Sequence, residues 1–334
     1  MQTPSHRLNN FDFLRVTAAF AVLISHQFVL SGRPEPVTAF GSWGGVGVLV
    51  FFAISGFLVA GSWHADPHIG RFAARRLLRI WPALVCAVLL TVFVLGPLVT
   101  TLPLKNYWQS GVTWTYLKVL GLWDFHTQLL GTFPASSQAG SVSGSLWTIP
   151  IEMKCYALLA LFGVLGVWHR KWAALILAGC VFAWFFFLSG IGYDNPLRMK
   201  LQMGIVFLAA VCMFQVRELW MGSRASVFLG SGLVIAAIWH LGLQELAFTL
   251  GLPVVIVIFG TWATPLVRRF GRFGDASYGL YIYAYPVQQT VLWMGGALLD
   301  FWTGLLIVVC VTTSLAFLSW YLVEKPTIAL KRNF

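Results

Sequence analysis

Ten stretches of this chain, at roughly 11–30, 44–63, 80–100, 145–167, 172–189, 199–216, 226–243, 246–264, 275–294 and 301–322, are predominantly apolar. Each is close to the ~20 residues that cross a bilayer as a helix. Hydrocarbon cannot hydrogen-bond to the backbone, so a spanning segment must satisfy its own N–H and C=O groups. The pattern predicts an all-α, polytopic integral membrane bundle of about ten transmembrane helices. Composition agrees: 58% of the 334 residues are hydrophobic and 10% charged, against about 25% charged in a soluble domain. One transmembrane domain is expected across 1–334, with a long external loop at about 101–144.

Charge orients the spans. The net charge is +11, and the basic residues fall in short clusters between apolar runs. Loops assigned to the cytoplasm hold sixteen of them, including Arg7, Arg170, Lys171, Lys331 and Arg332, and the opposite loops five: Arg33, Lys105, Lys118, Arg198 and Lys200. That bias predicts both termini in the cytoplasm and makes nucleic acid an unexpected partner. Cys86, Cys155, Cys180, Cys212 and Cys310 lie in apolar stretches without a CxxC pair, so neither disulfides nor a metal site is expected. Asp12, Arg15 and His26 interrupt the first apolar stretch, which therefore does not read as a cleavable signal peptide.

The external loop opens with Trp108, Trp114, Tyr116, Leu117 and Trp123. They suit an aromatic belt at headgroup depth or a platform for sugar rings. Ser136–Ser145, rich in Ser and Gly, is expected to be mobile. No internal repeat is visible, nor an inverted pair of Gly/Pro-broken spans of the kind many transporters carry.

Charges inside the membrane are costly and usually paired, hydrated or functional. The first span carries Asp12, Arg15 and His26, and the fourth Glu152 and Lys154. His26 follows Arg15 by eleven residues, about 16 Å and about three turns along a helix, so the two share nearly one face. In the predicted topology His26 and Glu152 both fall in the outer half of the bilayer. A neutral His can accept a proton from an alcohol during acyl transfer, and a carboxylate beside it would orient the ring and stabilise the imidazolium. The bland alternative is a His bonded to a backbone carbonyl. No GxSxG is present. Cys155 reads as apolar filler, with an acyl-carrier role as its alternative. Arg71, Arg75, Arg76 and Arg79 lead into the third span. Arg76 and Arg79 share a face suited to the phosphates of a cytosolic ligand or to anionic lipid.

Together these segments resemble acyltransferase family 3, multi-span enzymes that acylate sugars and other acceptors in bacterial envelopes. The matching segments are Leu8-Asn-Asn-Phe-Asp12-Phe-Leu-Arg15 through His26, Gly45 to Leu58, and Arg76-x-x-Arg79 with Trp81-Pro82. They continue with Ser145-Leu-Trp147 to Glu152 and Tyr156, Ser277-Tyr278-Gly-Leu-Tyr281 to Pro286, and Val323-Glu324-Lys325-Pro326. The resemblance implies acyl transfer from cytosolic acyl-CoA, acetyl-CoA foremost, to a hydroxyl of a saccharide or glycolipid acceptor. It implies a bacterial cytoplasmic (inner) membrane location, contact with envelope polysaccharide machinery and no tightly bound cofactor or metal. Carried onto matching positions, it makes His26 the base with Glu152 assisting, assigns Arg15, Arg76 and Arg79 to the CoA end, and assigns Ser55, Trp147 and Tyr156 to substrate binding. Lys154, Ser55 and backbone amides stay open as oxyanion stabilisers. Two departures stand out: Ala284 occupies a place where many relatives have His, and the esterase-like domain that some relatives append is not expected. A transporter or flippase of a sugar-lipid or metabolite, and a non-catalytic subunit of a polysaccharide synthesis complex, are the rival readings.

Overall fold

The computed structural model describes residues 9–168, 172–184, 190–191 and 195–330. Arg7, Leu8, Arg170, Lys171, Lys331 and Arg332, and residues 185–189 of the expected fifth span, lie outside the described residues. Among those described, the long elements are helices: α1 (Phe11–Leu30), α2 (Trp43–Ala65), α3 (Ile69–Leu90), α4 (Ile149–Val164), α5 (Ala173–Ala183), α6 (Pro196–Gln215), α7 (Arg224–His240), α8 (Gln244–Thr261), α9 (Ser277–Gly295) and α10 (Phe301–Ser319). A small antiparallel hairpin, β1 (Val37–Thr38) with β2 (Gly41–Ser42), follows α1. Among the described residues, seven helical stretches are long and apolar enough to cross a membrane. The 17-residue α7 is shorter than that standard, and the 19-residue α9 carries four tyrosines and two glutamines among its apolar residues.

The chain divides into two compact units. The first comprises Met1–Ala18, Gly45–His68 and Cys155–Phe273. Asn9 caps α1 by accepting the Phe11 N–H at 3.0 Å, and the fully buried Asn10 donates its amide to Phe259 O at 3.0 Å. Lipid gives helices no hydrophobic reason to associate, so close packing of small residues must supply the attraction. Gly56 of α2 does this against α6, where an added Cβ would lie 2.3 Å from Phe207 O. Arg198 of α6 forms an ion pair with Glu245 of α8, its Nε donating to Oε1 at 3.1 Å. Gln202 donates to Thr249 at 3.0 Å between the same helices.

The second unit comprises Ala19–Gly44, Ile69–Lys154 and Gly274–Phe334. Leu23, Ala284 and Val308 knit α1, α9 and α10 into one apolar cluster. Ala284, at the departure from the family pattern, is thus a small core residue. Nearby, buried Gln288 donates to Leu23 O at 2.7 Å. Residues 101–148 carry short elements, Leu104–Gln109, Gly111–Thr115 and the 3-10 turns Tyr116–Gly121 and Gly144–Thr148.

The contacts of segment 136–145 correct the expectation that it is mobile. Ser137 donates to Val29 O at 2.9 Å, Gln289 donates to Ser141 O at 2.9 Å, and Tyr116 bonds Ser143 at 2.7 Å. Each partner is remote in sequence, and so a Ser/Gly composition that reads as a linker is held down by other parts of the chain. Tyr116 is fully buried, and burial pushes its hydroxyl up to about 12, with the Ser143 bond acting in the opposite sense. Trp114 and Trp123 stay exposed, and Trp108 stacks on Phe93 with centroids 5.8 Å apart.

Candidate active site

Tyrosines at 278, 281 and 285 of α9 recur at i, i+3 and i+7, the spacing that places side chains on one helix face. Each engages a different part of the second unit. Tyr278 donates to Ile80 O at 2.9 Å, and the Arg79 guanidinium lies 5.9 Å from the centre of its ring. Tyr281 donates to Ser145 O at 2.8 Å and accepts from the Thr148 hydroxyl at 2.6 Å. That fastens the 3-10 turn from which α4 starts. Tyr285 meets the His26 ring edge to face, with centroids 5.2 Å apart and planes at 78°.

Glu152 lies in the first turn of α4, the helix that follows the turn bonded to Tyr281. One face of α9 therefore borders Arg79 at one end and His26 at the other. The Arg79 and His26 ends of that face are seven residues apart, about 10 Å along the helix.

The His26 end is tight. An added Cβ at Gly144 would come within 2.5 Å of the Tyr285 ring, so glycine lets the 3-10 turn press on the tyrosine that abuts His26. His26 Nδ1 is enclosed and makes no hydrogen bond. Its neighbour Ser25 donates to Glu35, a carboxylate from the loop after α1 that nothing in the local sequence singles out.

The arginine end is a lattice. Arg79 Nη2 donates to Asp275 Oδ2 at 2.5 Å and Nη1 to Glu324 Oε2 at 3.4 Å. Asp275 Oδ1 accepts from the Ser277 hydroxyl at 2.5 Å and from its N–H at 3.2 Å. Glu324 is 1% exposed and accepts from Ser319 at 3.2 Å. It ends a π-helical turn, Trp320–Glu324, a local expansion of the kind often found at functional sites. In the sequence Glu324 stands only as part of a motif, and Asp275 has no prominence at all. A carboxylate closing an apolar run is the available signal, because such a group needs a buried cation.

Of the residues expected to form a site, His26, Trp147, Glu152, Arg76 and Arg79 fall in the second unit. Trp147 lies in the Gly144–Thr148 turn, and Arg76 stands over the Phe72 ring at 5.9 Å. Arg15, Ser55 and Tyr156 belong to the first unit. There Arg15 contacts Asp12 at 3.4 Å, and the Ser55 and Tyr156 hydroxyls bond each other at 2.7 Å. Cys155 is buried and Lys154 exposed on α4.

A family model described as an acyltransferase domain matches residues 8–323. An O-acetyl transferase of Shigella phage Sf6 is 32% identical over 335 residues, covering 96% of this chain and 96% of that protein. Nodulation protein 10 of Rhizobium leguminosarum bv. viciae is 28% identical over 365 residues, covering 98% of this chain and 95% of that protein. No solved structure matches the chain.

Proposed function

The chain belongs to acyltransferase family 3, and from that premise we propose that it is an O-acyltransferase that moves an acyl group, acetyl foremost, from cytosolic acyl-CoA to a hydroxyl of a saccharide or glycolipid acceptor at the bacterial inner membrane. The name of the phage relative supports acetyl as the group. The observation that carries the reading is the α9 face, which borders a histidine with an unbonded enclosed nitrogen at one end and a cation at the other.

In this mechanism His26 accepts the proton of the acceptor hydroxyl as its oxygen attacks the thioester carbonyl. The tetrahedral intermediate collapses, the C–S bond breaks, and the CoA sulfur leaves with the proton that His26 took. Glu152, at the start of α4, favours the transient imidazolium by its charge. The stretch of α3 that carries Arg76 and Arg79 forms the donor end, where a guanidinium group suits the phosphates of CoA. The donor role that the resemblance gives Arg15 and the substrate roles it gives Ser55 and Tyr156 are tested separately by single substitutions.

The test is transfer of radiolabelled acetyl groups from acetyl-CoA into the saccharide fraction of membranes carrying the protein. Wild type should label that fraction, and His26→Ala should lower the rate by about 100-fold or more, in the range general base catalysis supplies, at unchanged protein level. Full labelling by His26→Ala would overturn the mechanism. Absence of labelling from acetyl-CoA by wild type, with movement of a sugar-lipid across the bilayer instead, would make the chain a flippase.

A further inference from the structure

We propose that Arg79 is a positioning residue rather than a ligand of the donor, and that Asp275 and Glu324 complete the arrangement through which it sets Arg76 against the donor's phosphates. This rests on the reading of acyl-CoA as donor.

The geometry of the guanidinium points this way. Arginine presents its N–H groups as a planar fork. Both terminal nitrogens of Arg79 are engaged by carboxylates, at 2.5 Å from Asp275 and 3.4 Å from Glu324. Neither carboxylate waits for another partner. The remaining Asp275 oxygen is held by Ser277 and that of Glu324 by Ser319. The Tyr278 ring stands 5.9 Å away, its hydroxyl bonded to the carbonyl of Ile80, the residue after Arg79.

A phosphate arriving at Arg79 would have to displace a carboxylate from its cation, which for Glu324, 1% exposed, is strongly unfavourable. The lattice also ties α3 to two distant stretches, the start of α9 and the π-helical turn after α10. Arg76 lies one turn earlier on α3, where residues three apart are surface neighbours. Fixing Arg79 therefore fixes the rotation and depth of the helix that presents Arg76.

The experiment uses full-length protein purified in detergent with acetyl-CoA as the probe, reading its dissociation constant and the unfolding temperature of the ligand-free form. Arg79→Gln should weaken acetyl-CoA binding at least tenfold. A neutral, hydrogen-bonding set, Arg79→Gln with Asp275→Asn and Glu324→Gln, should restore binding to within about threefold of wild type, because an ionic lattice can be replaced by an uncharged one of similar shape. Arg76→Gln should lose binding whether or not Glu324→Gln is added. A triple variant that binds as poorly as Arg79→Gln would overturn the proposal.

If Arg79→Gln does not fold, Asp275→Asn/Glu324→Gln with Arg79 retained decides. Binding within about threefold of wild type supports the positioning role, whereas tenfold tighter binding would mean that the carboxylates restrain a phosphate ligand, and would overturn it. Failure of wild type to bind acetyl-CoA would refute the donor reading instead. The lattice itself is then judged by unfolding temperature, which the triple variant should restore and which, left as low as in Arg79→Gln, would sink it.

Discussion

His26 of α1 and Tyr285 of α9 meet edge to face, their ring centroids 5.2 Å apart. Such pairs contribute about 0.5–1.5 kcal/mol beyond area burial, but here the contact also sets the direction of a ring whose Nδ1 is enclosed and unbonded. Tyr285→Phe keeps the ring and should retain transfer within about threefold. Tyr285→Ala leaves His26 without its neighbour and should lower kcat by about 10- to 100-fold, since small misplacements of a reacting group are costly. Steady-state transfer at saturating acetyl-CoA, with both variants at matched protein level, checks this.

Gly144→Ala should destabilise the protein by about 1–3 kcal/mol, the range for overpacking a filled site, because its new methyl meets the Tyr285 ring. Thermal unfolding in detergent measures the loss. Combined with Tyr285→Ala, Gly144→Ala should add little further loss of unfolding temperature, because the ring that its methyl meets is gone.

Arg198→Ala removes the partner of Glu245 between α6 and α8. Breaking a largely buried pair leaves an uncompensated charge and should cost about 3 kcal/mol or more. The double variant Arg198→Ala/Glu245→Ala should lose less than the single one, since it leaves no orphaned carboxylate. The unfolding temperatures of wild type, both single variants and the double variant form the cycle that tests it.

Asp300 caps α10, accepting from the N–H groups of Trp302 at 3.0 Å and Thr303 at 3.1 Å. Hydrogen bonding, from the Thr303 side chain first and then its backbone, lowers the Asp300 pKa below the ordinary value of 3.8. A carboxyl group with a depressed folded pKa stabilises the fold above its unfolded pKa and loses that contribution as pH falls through the folded one. Asp300→Ala should therefore unfold at a lower temperature than wild type at pH 7. The gap should hold to about pH 4 and close below it, and melting curves across that range read the difference directly.

Much of the candidate site is legible in the sequence for one physical reason: lipid makes charge conspicuous. His26, Glu152, Arg76 and Arg79 stand out because few charged residues interrupt the apolar runs. Their partners are less visible. Asp275 and Glu324 pair with Arg79 across 196 and 245 residues of chain, a separation at which local spacing carries no information. The tyrosines of α9 follow a helical period, yet periodicity alone cannot say that one faces an arginine and another a histidine. Ser137, Ser141 and Ser143 mislead for the same reason in reverse. Their composition describes a free linker, while the bonds that hold them run to Val29, Gln289 and Tyr116. Span counting meets a similar limit in α9, whose tyrosines and glutamines serve contacts rather than solubility in lipid.

The wedge of Gly144 against Tyr285 constrains how this protein can change over generations. A side chain at 144 is tolerated only if the ring at 285 shrinks or withdraws, and either adjustment removes the surface on which His26 rests. Neither position can drift alone. Lineages that keep the chemistry should therefore hold the small residue and the large ring as a linked pair, and an exchange at one should be found only where the other, and the setting of His26, has been rebuilt with it.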